Sequence, residues 1–190
     1  MFDHIRADYR AHGSRLGAQG FWVMLVYRLG RWRYGLRPVP VRKAFSLLYH
    51  VLYKTVQVLT GVELPCEVRV GKNFVIDHFG GIVISGYARF GDNCRLRPGV
   101  VVGLARADDP CAPVVGDNVD IGAGAKLLGR ITVGDNVHIG ANSVVIRDVP
   151  SNSVAVGVPA RVLPCRDAIG RGLPIRPLRM AAFERGARRG

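Results

Sequence analysis

One interval governs this chain. Between Val62 and Val158 an apolar residue returns every six positions, at Val70, Ile76, Ile84, Phe90, Leu96, Val102, Val115, Ile121, Leu127, Val133, Ile139 and Val145. Glycine often follows it. Four positions further on stands a second small or branched residue: Ala88, Cys94, Val100, Val119, Ala125, Ile131, Val137, Ser143 and Val149. The register slips by two residues around Asp77-His78-Phe79-Gly80-Gly81, and again at an insertion from Leu104 to Val114.

A fixed short period outranks local propensity, because it sets the whole architecture. A six-residue period describes a parallel β-helix. Each repeat is one short strand and a turn, three repeats close a triangular coil, and coils stack about 4.8 Å apart. The strands of an ordinary sandwich do not hold such a register over twelve repeats. A helical alternative fails on the glycines, which cost about 1 kcal/mol each inside a helix. The expected fold is mainly β. A helical region occupies residues 1–61, the β-helix residues 62–163, and a basic extended tail residues 164–190.

The 190 residues carry a formal net charge of +13, and its location matters more than its size. Residues 1–60 hold ten Lys/Arg against Asp3 and Asp8, and residues 161–190 hold eight Arg against Asp167 and Glu184. The repeats between them have nine basic and ten acidic residues, so the basicity belongs to the ends. Basic ends fit an anionic membrane surface, an acidic polymer, or a solvated surface on which Arg replaces Lys. No nucleic-acid-binding motif is present, so nucleic acid is not an expected partner. Cys66, Cys94, Cys111 and Cys165 form neither a CxxC pair nor a zinc spacing. MFDHIRADYR lacks the apolar core of a signal peptide, and a cytoplasmic location is expected.

Ahead of the repeats, Gly20 to Tyr34 is apolar and aromatic with three arginines, and Pro38 and Pro40 separate it from a second apolar segment. In that segment, Val41 to Thr60, apolar Phe45, Leu48, Val51, Leu52, Val56 and Leu59 recur at helical spacing, and Gly61 suits a helix cap. Two readings of this pair stand open. Its apolar faces pack on each other and on the β-helix, or they lie in a membrane interface, on its inner face, with Trp22, Trp32 and Tyr34 at headgroup level. Neither segment has an uncharged run of about 18 residues, so neither is expected to cross a bilayer.

His78 lies where the repeat breaks, between Asp77 and the flexible Gly80-Gly81. A corner pushed out of a regular wall can meet a ligand, and an imidazole there can act as a general base near neutral pH. Glu63 stands fifteen residues earlier, a little under one coil, where a carboxylate can orient the ring and stabilise the imidazolium. The bland alternatives are a surface histidine and a solvated glutamate. Only His78 and His138 lie in the repeats, so no three-histidine metal site is expected.

Several stretches resemble the bacterial serine O-acetyltransferases, a family of left-handed β-helix acyltransferases. They are Val62-Glu63-Leu64, Ile76-Asp77-His78-Phe79-Gly80-Gly81-Ile82-Val83-Ile84, Ile121-Gly122-Ala123-Gly124-Ala125-Lys126-Leu127-Leu128-Gly129 and Val156-Gly157-Val158-Pro159-Ala160-Arg161. Gly20-Phe21 with Tyr27-Arg28-Leu29 resembles the helix ahead of that family's β-helix.

The resemblance implies a left-handed winding, a homotrimer with active sites between subunits, and acetyl-CoA as co-substrate with no metal. It makes His78 the base that deprotonates the acceptor hydroxyl and Glu63 its orienting carboxylate. Asp77 becomes a contact to the amino-acid acceptor, with Asp8 a weak counterpart of a second such aspartate. The pantetheine arm would pass backbone groups near Gly103, Gly122, Ala123 and Ala141 toward Arg161.

There are departures. The family has an Arg-His pair before a Pro-x-Ile, and here Cys111-Ala112 precede Pro113-Val114-Val115. The helical region is short, and the chain ends Arg188-Arg189-Gly190 without the terminal isoleucine that enters cysteine synthase, so no complex with that enzyme is expected. Serine acetylation is the first expectation. Acetylation of a sugar hydroxyl in exopolysaccharide assembly makes the same demand on His78 and is the alternative. A non-catalytic scaffold is the remote one.

Overall fold

The computed structural model describes residues 2–15, 17–37 and 39–164, the side chain of Phe2 apart. Helices α1 (Phe2–Ala11), α2 (Gln19–Arg33) and α3 (Val39–Thr60) come first. Among the described residues thirteen strands succeed them in a strict rotation over three faces, and a final two both fall on the third. The first face holds β1 (Val62–Glu63), β4 (Ile82–Ile84), β7 (Val101–Gly103), β10 (Lys126–Leu128) and β13 (Val144–Val145). The second holds β2 (Arg69–Val70), β5 (Arg89–Phe90), β8 (Val114–Val115) and β11 (Thr132–Val133). The third holds β3 (Val75–Ile76), β6 (Arg95–Leu96), β9 (Asp120–Ile121), β12 (His138–Ile139), β14 (Ser153–Gly157) and β15 (Ala160–Pro164).

Pairing between coils is parallel, and its register carries both interruptions. Val114 faces Thr132 and Lys126 faces Val144, a regular eighteen-residue step. Val62 faces Ile82, two residues more, because the turn holding His78 is longer. Val101 faces Lys126, seven more, because the connection from β7 to β8 is longer, with residues 105–110 exposed.

The period buries what it repeats. Of the twelve apolar positions all but half-buried Val70 are buried, and so are all nine secondary positions from Ala88 to Val149. A Leu, Ile or Val so buried stabilises by about 1.5–3 kcal/mol each. The corner between the second and third faces is built from turns that end in Asn, three of them Gly-Asp-Asn. Asn73, Asn93, Asn118, Asn136 and Asn152 all take positive φ and form a side-chain ladder with bonds of 2.9, 3.0, 3.1 and 3.1 Å. Asn tolerates this left-handed conformation better than most residues, which is why it recurs there. Asp92, Asp117 and Asp135 each accept the amide of the preceding coil's turn at 2.7, 2.7 and 2.8 Å.

A solenoid end exposes a strand edge and apolar core. At the first coil, α2 covers it. Tyr27 Oη donates to Val68 O at 2.8 Å and accepts from Val70 N at 3.2 Å. Arg28 Nη2 donates to Gly71 O at 2.8 Å. Gly20 lies so close to the wall that a Cβ would fall 2.2 Å from Ile76 O. The helices therefore pack on each other and on the β-helix, as the first of the two readings expected. Yet α3 buries only Tyr49 fully, although Gly61 caps it as expected, at φ +64 with its N–H bonded to Gln57 O. No helix among the described residues is long and apolar enough to cross a membrane.

The other end departs from the expected parallel repeat. β15 folds back antiparallel on β14, Val156 facing Arg161, and closes the third face as a hairpin. The expected tail lies, Pro164 apart, outside the described residues, as does Cys165.

Candidate active site

The turn between β3 and β4 begins with Asp77 and ends with the Gly80-Gly81 pair. Gly80 O accepts the Gly99 amide at 2.8 Å, and Gly81 stacks on Gly99 in the next coil, so the pair restores the register. The extra length is spent on Asp77-His78-Phe79. His78 has φ +60 and an exposed ring. Every other non-glycine residue recorded at positive φ is Asn or Ser. A left-handed backbone at such a side chain costs about 1–3 kcal/mol. Among the described residues no hydrogen bond or ion pair holds the imidazole, which leaves its nitrogens open to a ligand.

Beside it, Asp77 is partly exposed, and its Oδ2 accepts from Arg95 Nη1 at 3.1 Å. A cleft of ≈ 580 Å³ runs from this turn to the α1–α2 connection, lined by Asp77, His78, His12, Arg15 and Gln19 among others. His12 is fixed in one tautomer. Its Nδ1 lies 2.7 Å from Asp8 O and its Nε2 3.3 Å from the Ile76 amide, so Nδ1–H donates and Nε2 accepts. Burial lowers its pKa below the usual histidine value, against the raising influence of Asp8, and keeps it neutral.

The other expected residues are dispersed. Glu63 lies on β1 between buried Val62 and Leu64, so strand alternation turns it outward from the first face. There its Oε2 accepts from Gln57 Nε2 of α3 at 3.1 Å, and among the described residues it makes no bond to His78. Asp8 departs further from the expected substrate contact. It is 1% exposed, and Arg28 takes both its oxygens, at 2.8 and 3.2 Å. Burial and pairing give it a structural role, joining α1 to α2.

Of the expected cofactor contacts, Gly122, Ala123 and Ala141 lie in successive coils at the corner that also carries His78, between the third and first faces. Gly122 is buried and a Cβ there would fall 2.6 Å from the Ala141 amide, whereas Ala123 is partly exposed and Ala141 exposed. Gly103 ends β7 at the opposite edge of the first face, where a Cβ would meet nothing within 4 Å. Arg161 is exposed on the closing hairpin. One chain thus aligns His78, Ala123 and Ala141 along a single corner, and leaves Gly103 and Arg161 apart.

The sequence reading missed His12, Arg15, Gln19 and Arg95. Their signal is long-range, since His12 and Ile76 stand 64 residues apart. Arg95 was visible only as the outward residue beside core Leu96.

Comparison with known proteins agrees with this fold. Residues 112–147 match the family described as bacterial transferase hexapeptide (six repeats). The chain is 39% identical over 176 residues to a serine acetyltransferase of Synechococcus elongatus, covering 86% of this chain and 69% of that one. It is 37% identical over 175 residues to a serine acetyltransferase of Mycobacterium tuberculosis, covering 86% and 73%. Among solved structures, the serine acetyltransferase of Brucella abortus superposes with a TM-score of 0.73 at 29% identity, over 86% of this chain and 68% of that one. Soybean serine acetyltransferase complexed with serine gives 0.73 at 30% identity, over 85% and 68%. Identity of this order over most of both chains, on a three-faced parallel β-helix interrupted at His78, places the chain in the serine acetyltransferase family.

Proposed function

We propose that this chain transfers an acetyl group from acetyl-CoA to the hydroxyl of L-serine, with His78 as general base. The observation that carries the reading is the unpaired imidazole at φ +60, beside Asp77, on a cleft wide enough for an amino acid. His78 takes the hydroxyl proton as the serine oxygen attacks the thioester carbonyl carbon. The new C–O bond gives a tetrahedral oxyanion. Its collapse breaks the C–S bond, and the departing thiolate takes the proton back from the imidazolium. No covalent enzyme intermediate is required. Amides of residues 79–81, to which no described backbone carbonyl is bonded, would serve as donors to the oxyanion.

Acetyl-CoA would lie along the corner of His78, Ala123 and Ala141. Gly103 and Arg161 would join it from other positions in a homotrimer. Exposed apolar Phe79 in the His78 turn and Val83 on β4 beside it support a subunit contact there. Glu63 would serve as orienting carboxylate after releasing Gln57, and Asp77 would take the acceptor's ammonium group.

A cytoplasmic protein that touches the inner face of the membrane fits one further observation. Pro40, Ala44, Leu47, Val51 and Val58 form an outward stripe on α3, with Leu47 71% and Val58 81% exposed. No Asp or Glu occurs between Asp8 and Glu63, against nine Lys/Arg. A second copy of this face, or the arginine-rich tail, would bring like charges together, whereas an anionic bilayer complements both charge and apolarity. Flotation with phosphatidylglycerol vesicles, lost in Leu47→Glu, is expected. Equal behaviour with phosphatidylcholine, or self-association that Leu47→Glu abolishes, would contradict it.

The function itself is tested by release of free thiol from acetyl-CoA with L-serine, beside nucleotide sugars and simple glycans. Turnover with serine is expected. Turnover with a sugar alone would reassign the acceptor, and none with any would remove the catalytic reading.

A further inference from the structure

Serine offers an enzyme three handles: a hydroxyl, an ammonium group and a carboxylate. The cleft beside His78 contains a base for the first and, in Asp77, an anion for the second. The carboxylate needs a cation, and the candidates narrow quickly. His12 donates Nδ1–H to Asp8 O and accepts at Nε2, so it brings no charge and no free N–H. Arg95 does not line this cleft and binds Asp77 through Nη1 alone, to one carboxylate oxygen. Arg28 is 8% exposed and committed to Asp8, Val70 and Gly71. Arg15 remains. It lines the same cleft, is exposed, and among the described residues its guanidinium has no partner.

We infer that Arg15 binds the carboxylate of the amino-acid acceptor and is the residue that selects an amino acid over a sugar or amino alcohol. The inference rests on the proposed acceptor. Arg suits the task, because its planar fork bonds a carboxylate at two points. The placement also orders the substrate. Asp77 and His78 lie on the β-helix wall, Arg15 on the α1–α2 connection opposite, so a bound zwitterion spans the cleft with its ends on different elements. Neighbouring Gln19 adds a neutral donor and acceptor without competing charge.

Ethanolamine is serine without its carboxylate and isolates this contact. Steady-state kinetics with both acceptors would compare the wild-type chain with Arg15→Ala and Arg15→Lys. Arg15→Ala is expected to raise KM for L-serine roughly 10- to 100-fold, the worth of a hydrogen bond between charged groups. Its kcat should change little, its KM for ethanolamine should stay put, and Arg15→Lys should recover part of the loss. An unchanged serine KM, or an equal rise for both acceptors, would overturn the inference while leaving the serine reading intact. A wild-type chain that turns over ethanolamine or sugars but not serine would overturn both.

Discussion

Arg28 Nε lies 2.8 Å from Asp8 Oδ2, the carboxylate 1% and the arginine 8% exposed. The same guanidinium reaches Gly71 O, so one side chain ties α1, α2 and the first coil together. Removing one partner of a buried pair leaves the other charge uncompensated, at a cost of about 3–5 kcal/mol. Asp8→Ala is therefore expected to destabilise the chain by that order in urea denaturation. The double variant Asp8→Ala/Arg28→Leu should cost less. If Asp8→Ala instead raises KM for serine at unchanged stability, Asp8 touches the acceptor after all.

The asparagine ladder makes a separable prediction. Asn118 is bonded to Asn93 and Asn136 and sits at φ +57. Asn118→Ala loses two side-chain bonds, each worth about 0.5–1.5 kcal/mol, and takes on a left-handed penalty of about 1–2 kcal/mol. Asn118→Gly loses the bonds and keeps the conformation. Thermal denaturation should rank wild type above Gly and Gly above Ala. Equal losses for both would remove the backbone contribution.

His12 gives the fold an acid limit. Burial holds its folded pKa below the unfolded value of about 6.5. A histidine kept neutral on folding contributes stability that is whole above the unfolded pKa. That stability is lost as pH falls from there through the folded pKa, since the unfolded chain then binds the extra proton. Protonation would also set Nε2–H against the Ile76 amide. Melting temperature should fall between pH 7.5 and pH 5, and fall less in His12→Gln. The same slope in both would assign the acid sensitivity elsewhere.

Much of this was legible because burial follows the period. Positions such as Leu96 and Val119 repeat in sequence for the same reason that they are buried in space. The corner at His78 was legible as a fault in that period. The α3 segment showed itself through the spacing of Phe45, Leu52 and Val56. What escaped obeys no period. The step from Val156 to Ala160 fits a parallel strand as well as a hairpin, and only the end of the solenoid decides. The neutral pairing of His12 and the capture of Asp8 by Arg28 depend on how helices lie across a coil, and neither spacing nor composition encodes that. The spacing of Glu63 from His78 suggests a pair, but the outward turn of its strand gives Glu63 to Gln57.

The most direct test of the central claim is thiol release from acetyl-CoA in the presence of L-serine, by the wild-type chain and by His78→Asn. Asparagine keeps the left-handed backbone tolerable and removes the base. The result expected is turnover by the wild type and a kcat lower by roughly 10²–10⁴ in the variant, the usual worth of a general base, with an unchanged circular dichroism spectrum. Equal turnover by the two proteins would contradict His78 as the base.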